Sequence, residues 1–312
     1  MSTRTTGPGF VASITASVLF AVIFLLAGRL PGWGAEEVLG WRIVLTLALL
    51  AAAFPFLSSA RAEWRTLVAR IRRRPSLILL GALAAVLIGL QLWLFLWAPL
   101  NDMAMAVSFG YFLMPLSMVL AGRVFFADRL SNLRKLAVAA AAVGVAHEAF
   151  SSGGLQWPTL LVGLGYPVYF VLRRKIGFDN LAAFSAELLL LLPAGVYFIL
   201  SGAHGLGAGD AGIFRGGALP EGVWAVAAIG VLGGASMAAY LLASKWLSLS
   251  LFGLLSYVEP VLLVGVSWLL GETLGWASLL TYGPILLALL LLSLDGRRRD
   301  TVLTARVRET GP

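Results

Sequence analysis

The sequence predicts an all-α integral membrane protein in which ten transmembrane helices form two inverted five-helix repeats. Of the 312 residues, 60% are apolar and 12% are charged, whereas a soluble domain is about half apolar and about a quarter charged. Charge-free apolar runs recur along the chain, each close to the roughly 20 residues that a helix needs to cross a bilayer. The second half also aligns with the first at a constant offset, which indicates a duplication.

Eight of the predicted spans are runs without a charged residue in their interior. They are Thr5 to Gly28, Ile43 to Ala60, Ser76 to Asn101, Met103 to Gly122, Ala149 to Leu172, Leu188 to Ala203, Gly222 to Ser244 and Thr273 to Leu294. Two further spans are less regular. The segment Leu133 to Phe150 ends with His147 and Glu148, and the segment Leu247 to Leu270 is interrupted by Glu259. Together these segments predict ten helices.

The distribution of basic residues supports this number and predicts the orientation. With ten spans, most of the 23 lysines and arginines fall in connections on one side, which the positive-inside rule makes cytoplasmic. Removing the fifth helix would export the clusters Arg173 to Lys175 and Arg297 to Arg299. We therefore expect a multi-pass protein of the cell inner membrane with both termini cytoplasmic. The net charge of +8 predicts contact with anionic membrane lipid rather than nucleic acid.

An offset of 145 residues relates the two halves. It aligns Pro115 with Pro260, Ala98 with Ala243, and Arg42 with Glu187. Because each half holds an odd number of helices, the two copies must enter the bilayer from opposite faces. We expect repeats at 1–150 and 151–296, followed by a basic cytoplasmic tail at 297–312. Such inverted repeats are typical of secondary transporters, which bind substrate near the membrane midplane where the repeats meet.

Several motifs carry a family resemblance over about residues 10 to 295. The stretch Trp93-Leu-Phe-Leu-Trp97-Ala98, followed by Ser108-Phe-Gly-Tyr-Phe and then Pro115, resembles the fourth-helix region of the RarD-type permeases, named for chloramphenicol sensitivity. Arg42, the cluster Arg173 to Lys175, Glu187 with Leu192-Pro193, and Tyr257 with Pro260 extend the similarity. These permeases are an EamA-like branch of the drug/metabolite transporter superfamily. The resemblance implies a ten-helix inner-membrane carrier with a central cavity.

Glu259 is the candidate coupling residue. It lies about ten residues into the predicted ninth helix, near the bilayer midplane, where a charged side chain costs roughly 2.5–3.5 kcal/mol. Pro260 beside it weakens the helical hydrogen-bond ladder. We expect Glu259 to exchange a proton or to bind a cationic group of the substrate, and the alternative is a neutral acid hydrogen-bonded to a neighbouring helix.

Arg42 and Glu187 are the candidate gating residues. Each directly precedes a charge-free run, and counted from the membrane face at which its helix begins each lies on the order of 10 Å deep, at equivalent positions of the two predicted repeats. An ion pair between them could hold the second helix against the seventh and open during transport. The alternative is that Arg42 reaches the outer interface and that Glu187 accepts a local hydrogen bond.

Aromatic and small polar side chains are candidates for the substrate-binding wall. They could solvate an amphipathic organic molecule, although aromatic residues also pack in cores. With Glu259, the candidates are Gln91, Trp93, Trp97, Ser108, Tyr111, Tyr166, Tyr169, Ser256 and Tyr257.

These observations predict a secondary transporter that exports small organic metabolites or drugs by alternating access. The sequence contains no phosphate-binding loop, no cysteine and only two histidines, so we expect no cofactor and no metal site. A passive solute channel is the alternative, because inverted halves also occur in pores. A membrane-embedded enzyme is a further alternative, but it would need clustered carboxylates or a Ser/His pair at depth, and the sequence has neither.

Overall fold

Every regular element in the described part of the chain is a helix. The computed structural model describes residues 6–56, 58–127, 131–151, 155–178, 180–205, 220–247, 255, 258–273, 280, 283–288, 290–291 and 294. The helices are α1 (Thr6–Ala27), α2 (Ala35–Ala53), α3 (Ser58–Arg73), α4 (Leu77–Leu100), α5 (Ala104–Phe126), α6 (Asn132–Ser151), α7 (Trp157–Ile176), α8 (Leu181–Ser201), α9 (Val223–Trp246) and α10 (Val258–Leu269). Residues 283–288 are also helical.

Six of these helices are long and apolar enough to cross a membrane. They span Gly7–Ala27, Ala35–Phe56, Leu77–Leu100, Ala104–Phe126, Leu181–Ser201 and Val223–Tyr240. Their outward faces carry large apolar side chains such as Leu79, Val86 and Val196, which are exposed on the protein surface. A helix that is apolar on all sides is typical of a membrane span. The prediction of an all-α, multi-pass membrane protein is therefore confirmed.

The second helix differs from its predicted span, Ile43 to Ala60. It begins at Ala35 with Glu36 and Glu37 in its first turn, where the helix dipole favours acidic side chains. It ends before a 3-10 turn over Phe54–Phe56, because Pro55 has no backbone N–H to continue the helical ladder. A separate amphipathic helix, α3, follows and carries arginines in its last turn. The predicted span was a charge-free run, so it left out Glu36 and Glu37 and did not include the polar helix α3.

The eighth helix also begins earlier than its predicted span, Leu188 to Ala203. Asn180 caps it, because its side-chain oxygen accepts a hydrogen bond of 2.8 Å from the Ala183 N–H. Such a cap typically contributes about 1 kcal/mol. The earlier start places Glu187 inside the helix, where it is buried.

The helices pack through close contacts between the two halves of the chain. The most extensive contacts join α1 with α9, α2 with α8, and α5 with α7. At the α2–α8 crossing, a Cβ on Gly40 would meet the backbone of Gly195 and come within 2.8 Å of Ile199 Cγ1. Small residues allow this approach, as is common between membrane helices.

Glu272 links the end of α10 to the start of α5. Its carboxylate accepts hydrogen bonds from the backbone N–H groups of Ala104 at 2.7 Å and Met105 at 2.8 Å. These donors have no partner within their own helix. Burial raises the pKa of the Glu272 carboxyl, while the two N–H groups act in the opposite direction.

We expect Glu272→Ala to lower the stability by about 1 kcal/mol, as for other helix caps. Glu272→Gln keeps one acceptor oxygen and should lose less. Thermal unfolding in detergent measures both effects. Equal midpoints for the wild type and Glu272→Ala would contradict the capping role.

Candidate functional site

A cavity of about 130 Å³ lies between the helices. Side chains from α1, α2, α4, α5, α7, α8, α9 and α10 all contribute to its wall, so it lies where most of the apolar helices converge. The lining residues are Phe20, Arg42, Ile88, Leu92, Phe95, Tyr111, Met114, Tyr166, Tyr169, Phe170, Arg173, Phe184, Gly233, Met237, Tyr240 and Glu259. The described part of the wall is therefore largely apolar and aromatic, and its acidic and basic side chains are Arg42, Arg173 and Glu259.

Arg42 and Glu259 both face this cavity. Arg42 lies in the middle of α2 and is only 5% exposed, and Glu259 lies in the first turn of α10, directly before Pro260. The guanidinium carbon of Arg42 lies 5.8 Å from the centroid of the Phe95 ring, within the range of a cation–π contact. An arginine of α2 and a glutamate of α10 thus line the same cavity.

Two tyrosines form a hydroxyl pair on the same wall. The Tyr111 and Tyr166 oxygens lie 3.0 Å apart, and their rings are in contact with centroids 5.7 Å apart. Tyr166 also stacks on Phe170, with an interplanar angle of 20°. The pair joins α5 to α7 and presents polar atoms to an otherwise apolar wall.

Arg173, Tyr169 and Glu187 form a buried polar network beside the cavity. The Tyr169 hydroxyl donates to Glu187 Oε2 at 2.7 Å, and Arg173 Nη1 donates to the Tyr169 oxygen at 2.6 Å. Arg173 Nε lies 3.5 Å from Glu187 Oε1. The same guanidinium also donates to the backbone carbonyls of Phe178 and Asn180.

In the structure Glu187 pairs with Arg173, and the gating role of Arg42 and Glu187 stays a prediction. Sequence reasoning placed Arg173 in a cytoplasmic loop, with the preceding span ending at Leu172. In the structure α7 continues to Ile176, so Arg173 lies inside the helix, one turn after Tyr169. Tyr169 and Arg173 consequently face the same neighbour.

The other predicted binding residues lie away from the cavity wall, or outside the described residues. Gln91 is buried and donates to the Leu161 carbonyl at 2.8 Å. Trp93 and Trp97 pack against Trp157, and Trp93 donates to Glu36 at 2.8 Å. Their positions favour structural roles.

The hydroxyl groups of Ser108 and Ser267 form a hydrogen bond of 3.2 Å. This contact joins α5 to α10 and lies away from the cavity wall. Ser256 and Tyr257 lie outside the described residues. Of the predicted binding residues, the structure thus brings Tyr111, Tyr166, Tyr169 and Glu259 to the cavity, together with Arg42; their contact with a substrate stays a prediction.

Comparison with known proteins identifies the family, although no family model matches the chain. A chloramphenicol-sensitive protein RarD of Pseudomonas aeruginosa is 38% identical over 299 residues, covering 95% of this chain and 96% of that relative. This chain belongs to the RarD family. An uncharacterized transporter of Pasteurella multocida is 35% identical, covering 92% of this chain and 96% of that protein. A solved crystal structure with 19% identity superposes with a TM-score of 0.57, covering 95% of this chain and 100% of the other, and therefore has the same fold.

Sequence reasoning missed several cavity residues of this RarD protein. Tyr240 and Met237 of α9 line the cavity, although none of the predicted binding residues lies on that helix. They lie 145 positions after Phe95 and Leu92, which also line the cavity and were also not among the predicted residues.

A second polar cluster of this RarD-family protein lies at the start of α2. Glu37 is buried and accepts from the His204 backbone N–H at 3.2 Å. The His204 ring lies 3.3 Å from the same carboxylate and stacks on Trp33 with centroids 4.1 Å apart. Trp33 is buried and donates to the Glu221 carbonyl at 2.7 Å. These contacts connect the α1–α2 turn with the ends of α8 and α9.

Proposed function

We propose that this RarD protein is a secondary transporter of the cell inner membrane that exports small organic metabolites or drugs. In this proposal ten helices, arranged as two inverted repeats with both termini cytoplasmic, expose a central site alternately to each side. The observation that carries the proposal is the cavity, which contains an arginine and a glutamate within an aromatic wall. Ionisable residues at membrane depth typically mark transport pathways. The relatives are named as transporters, which argues against an enzyme.

The lining of the cavity supports an internal repeat. Ile88, Leu92, Phe95 and Met114 of the first half line it. The residues 145 positions later, which are Gly233, Met237, Tyr240 and Glu259, line it as well. Equivalent positions of two repeats meet at such a site when a pseudo-twofold axis passes through it.

The pattern of helix contacts supports the same repeat. If α1, α2, α4 and α5 correspond to α7, α8, α9 and α10, then exchanging the halves converts the α1–α9 contact into α4–α7 and the α2–α9 contact into α4–α8. The exchange also converts α5–α7 into α1–α10, and it leaves α2–α8 and α5–α10 unchanged. All of these contacts are present.

A proton gradient or the gradient of the solute would drive this transport, and Glu259 is the proposed proton-coupling group. We expect Glu259→Gln to abolish pH-driven flux in proteoliposomes while exchange of the solute continues, because the amide cannot take up a proton. The solute is first identified by comparing the metabolites of cells with and without the protein. Glu63→Gln, on α3 and away from the cavity, is the matched control and should behave like the wild type.

An unchanged pH dependence in Glu259→Gln would remove this residue from the coupling mechanism. Counterflow of labelled solute tests transport itself. Saturable flux with counterflow is expected of a carrier, whereas flux that neither saturates nor shows counterflow would indicate a passive channel.

A further inference from the structure

We propose that the substrate is a small organic anion with a single apolar ring and that Arg42 binds its negative group. This inference rests on the proposed transport function and names the chemical class of the solute. It depends on the charge of the cavity, the state of Arg42, and the shape of the wall.

Arg42 is a buried cation whose hydrogen-bond donors are not all paired with described residues. Its side chain lines the cavity and is 5% exposed, and among the described residues its Nη1 atom has no hydrogen-bond partner. Leaving a buried donor of a charged group unpaired is unfavourable, because the donor loses its hydration without gaining a partner. A ligand with anionic oxygens would satisfy this donor.

Arg173, the other arginine on the wall, is not a comparable site. Its guanidinium donates to Tyr169, Phe178 and Asn180 and pairs with Glu187. These partners occupy its donors and balance its charge. Arg42 is therefore the cation on this wall that is available to an incoming group.

Glu259 does not make the cavity favour a cation over an anion. Arginine cannot be deprotonated in proteins, whereas a glutamate can become neutral by taking up a proton. The positive charge of the cavity is thus permanent and the negative charge is conditional. An organic cation would have to approach Arg42 at every pH, so the cavity favours an anion.

The wall sets the size and shape of the rest of the ligand. Phe20, Phe95, Phe170, Tyr166 and Tyr240 supply aromatic surface around the cavity. Its volume is about 130 Å³, and an apolar cavity of about 150 Å³ is known to accommodate benzene. The space therefore limits the apolar part of the ligand to one small ring, with its anionic group at Arg42 and near the Tyr111–Tyr166 hydroxyl pair.

Three probes with one ring and different charge test the inference. Benzenesulfonate is permanently anionic, benzyl alcohol is neutral, and N-methylpyridinium is permanently cationic without being larger than the other two. Calorimetric titration into the purified protein in nanodiscs should show saturable binding of benzenesulfonate and at least about tenfold weaker binding of the other two. A factor of ten corresponds to about 1.4 kcal/mol, the lower end of the range for a hydrogen bond to a charged group.

Two variants test whether Arg42 causes this selectivity for the anion. Arg42→Gln should weaken benzenesulfonate binding at least about tenfold, and Arg42→Lys, which keeps the charge, should retain part of it. Arg65→Gln, an exposed arginine on α3, should bind like the wild type. If Arg42→Gln does not fold, the selectivity of the wild type and the binding by Arg42→Lys still decide the question.

Tighter binding of the neutral or cationic probe, or full affinity in Arg42→Gln, would overturn the inference. Its failure can be separated from failure of the transport proposal. Counterflow of a neutral or cationic solute would support transport and exclude the anion site. Anion binding without any counterflow would support the site and exclude transport.

Discussion

Arg173→Met is expected to lower the stability of the protein by about 3–5 kcal/mol. Removing one partner of a buried ion pair has this effect because the other charge stays buried without compensation. Glu187 is 1% exposed, so water cannot replace the lost guanidinium. The change also removes the donors to the carbonyls of Phe178 and Asn180, which connect α7 to α8.

Equilibrium unfolding in mixed detergent micelles measures the effect. The double variant Arg173→Met/Glu187→Met should recover most of the loss, since an apolar pair of similar volume can replace a buried ion pair. Arg174→Met is the matched control, because Arg174 is the next residue along α7 and is exposed. A loss in the control as large as in Arg173→Met would contradict the importance of the buried network.

The predicted and observed helices agree best where a span is charge-free throughout. The prediction Ser76 to Asn101 corresponds to α4 (Leu77–Leu100), and the prediction Gly222 to Ser244 corresponds to α9 (Val223–Trp246). Such runs are long, and both ends have clear polar or helix-breaking signals. Length and composition therefore predicted these helices to within a few residues.

The predicted start of a helix is wrong where a charged residue is buried against a partner on another part of the chain. Glu37 is buried against His204 at the start of α2, and Glu187 is buried against Tyr169 and Arg173 in α8. Because the predicted spans exclude charged residues, both predicted helices begin later than the observed ones. The sequence did not reveal these partners, because they lie on other helices and their pairing depends on how the helices pack.

The sequence predicted only part of the candidate site, and the reason is related. Arg42 and Glu259 were recognised because an ionisable residue at membrane depth is costly and needs a function or a partner. The aromatic candidates were harder to separate. A helix that is apolar on all sides gives no periodic signal for the face that lines a cavity. Trp93 and Trp97 were therefore predicted to bind substrate and Phe95 was not, although Phe95 is the one of these three that lines the cavity.

The proposed repeat relates cavity residues that differ in type. Phe95 and Tyr240, like Met114 and Glu259, differ in chemistry but lie 145 residues apart and line the same cavity. In the proposed architecture the two repeats share their framework while the side chains facing the substrate diverge. An asymmetric set of groups, with Arg42 from one half and Glu259 from the other, can then recognise a substrate that is itself asymmetric.

Gly40→Ala is expected to destabilise the protein by about 1–3 kcal/mol, the usual effect of an additional methyl group in a tightly packed core. The new Cβ would overlap the backbone of Gly195 and lie 2.8 Å from Ile199 Cγ1. Backbone atoms cannot rotate away as a flexible side chain does, so α2 and α8 must separate. Because Arg42 lies half a turn further along α2, the separation should also displace its guanidinium.

Gly81→Ala provides the matched control on α4. A Cβ at Gly81 would meet Phe178 Cε2 at 3.5 Å, an ordinary van der Waals distance, and alanine is favoured over glycine in a helix by about 1 kcal/mol. The control should therefore be neutral or more stable than the wild type. Equilibrium unfolding in mixed micelles compares the two variants. If both substitutions had the same effect, the cost at Gly40 would reflect glycine replacement in general, and the close α2–α8 contact would not be what fixes the position of Arg42.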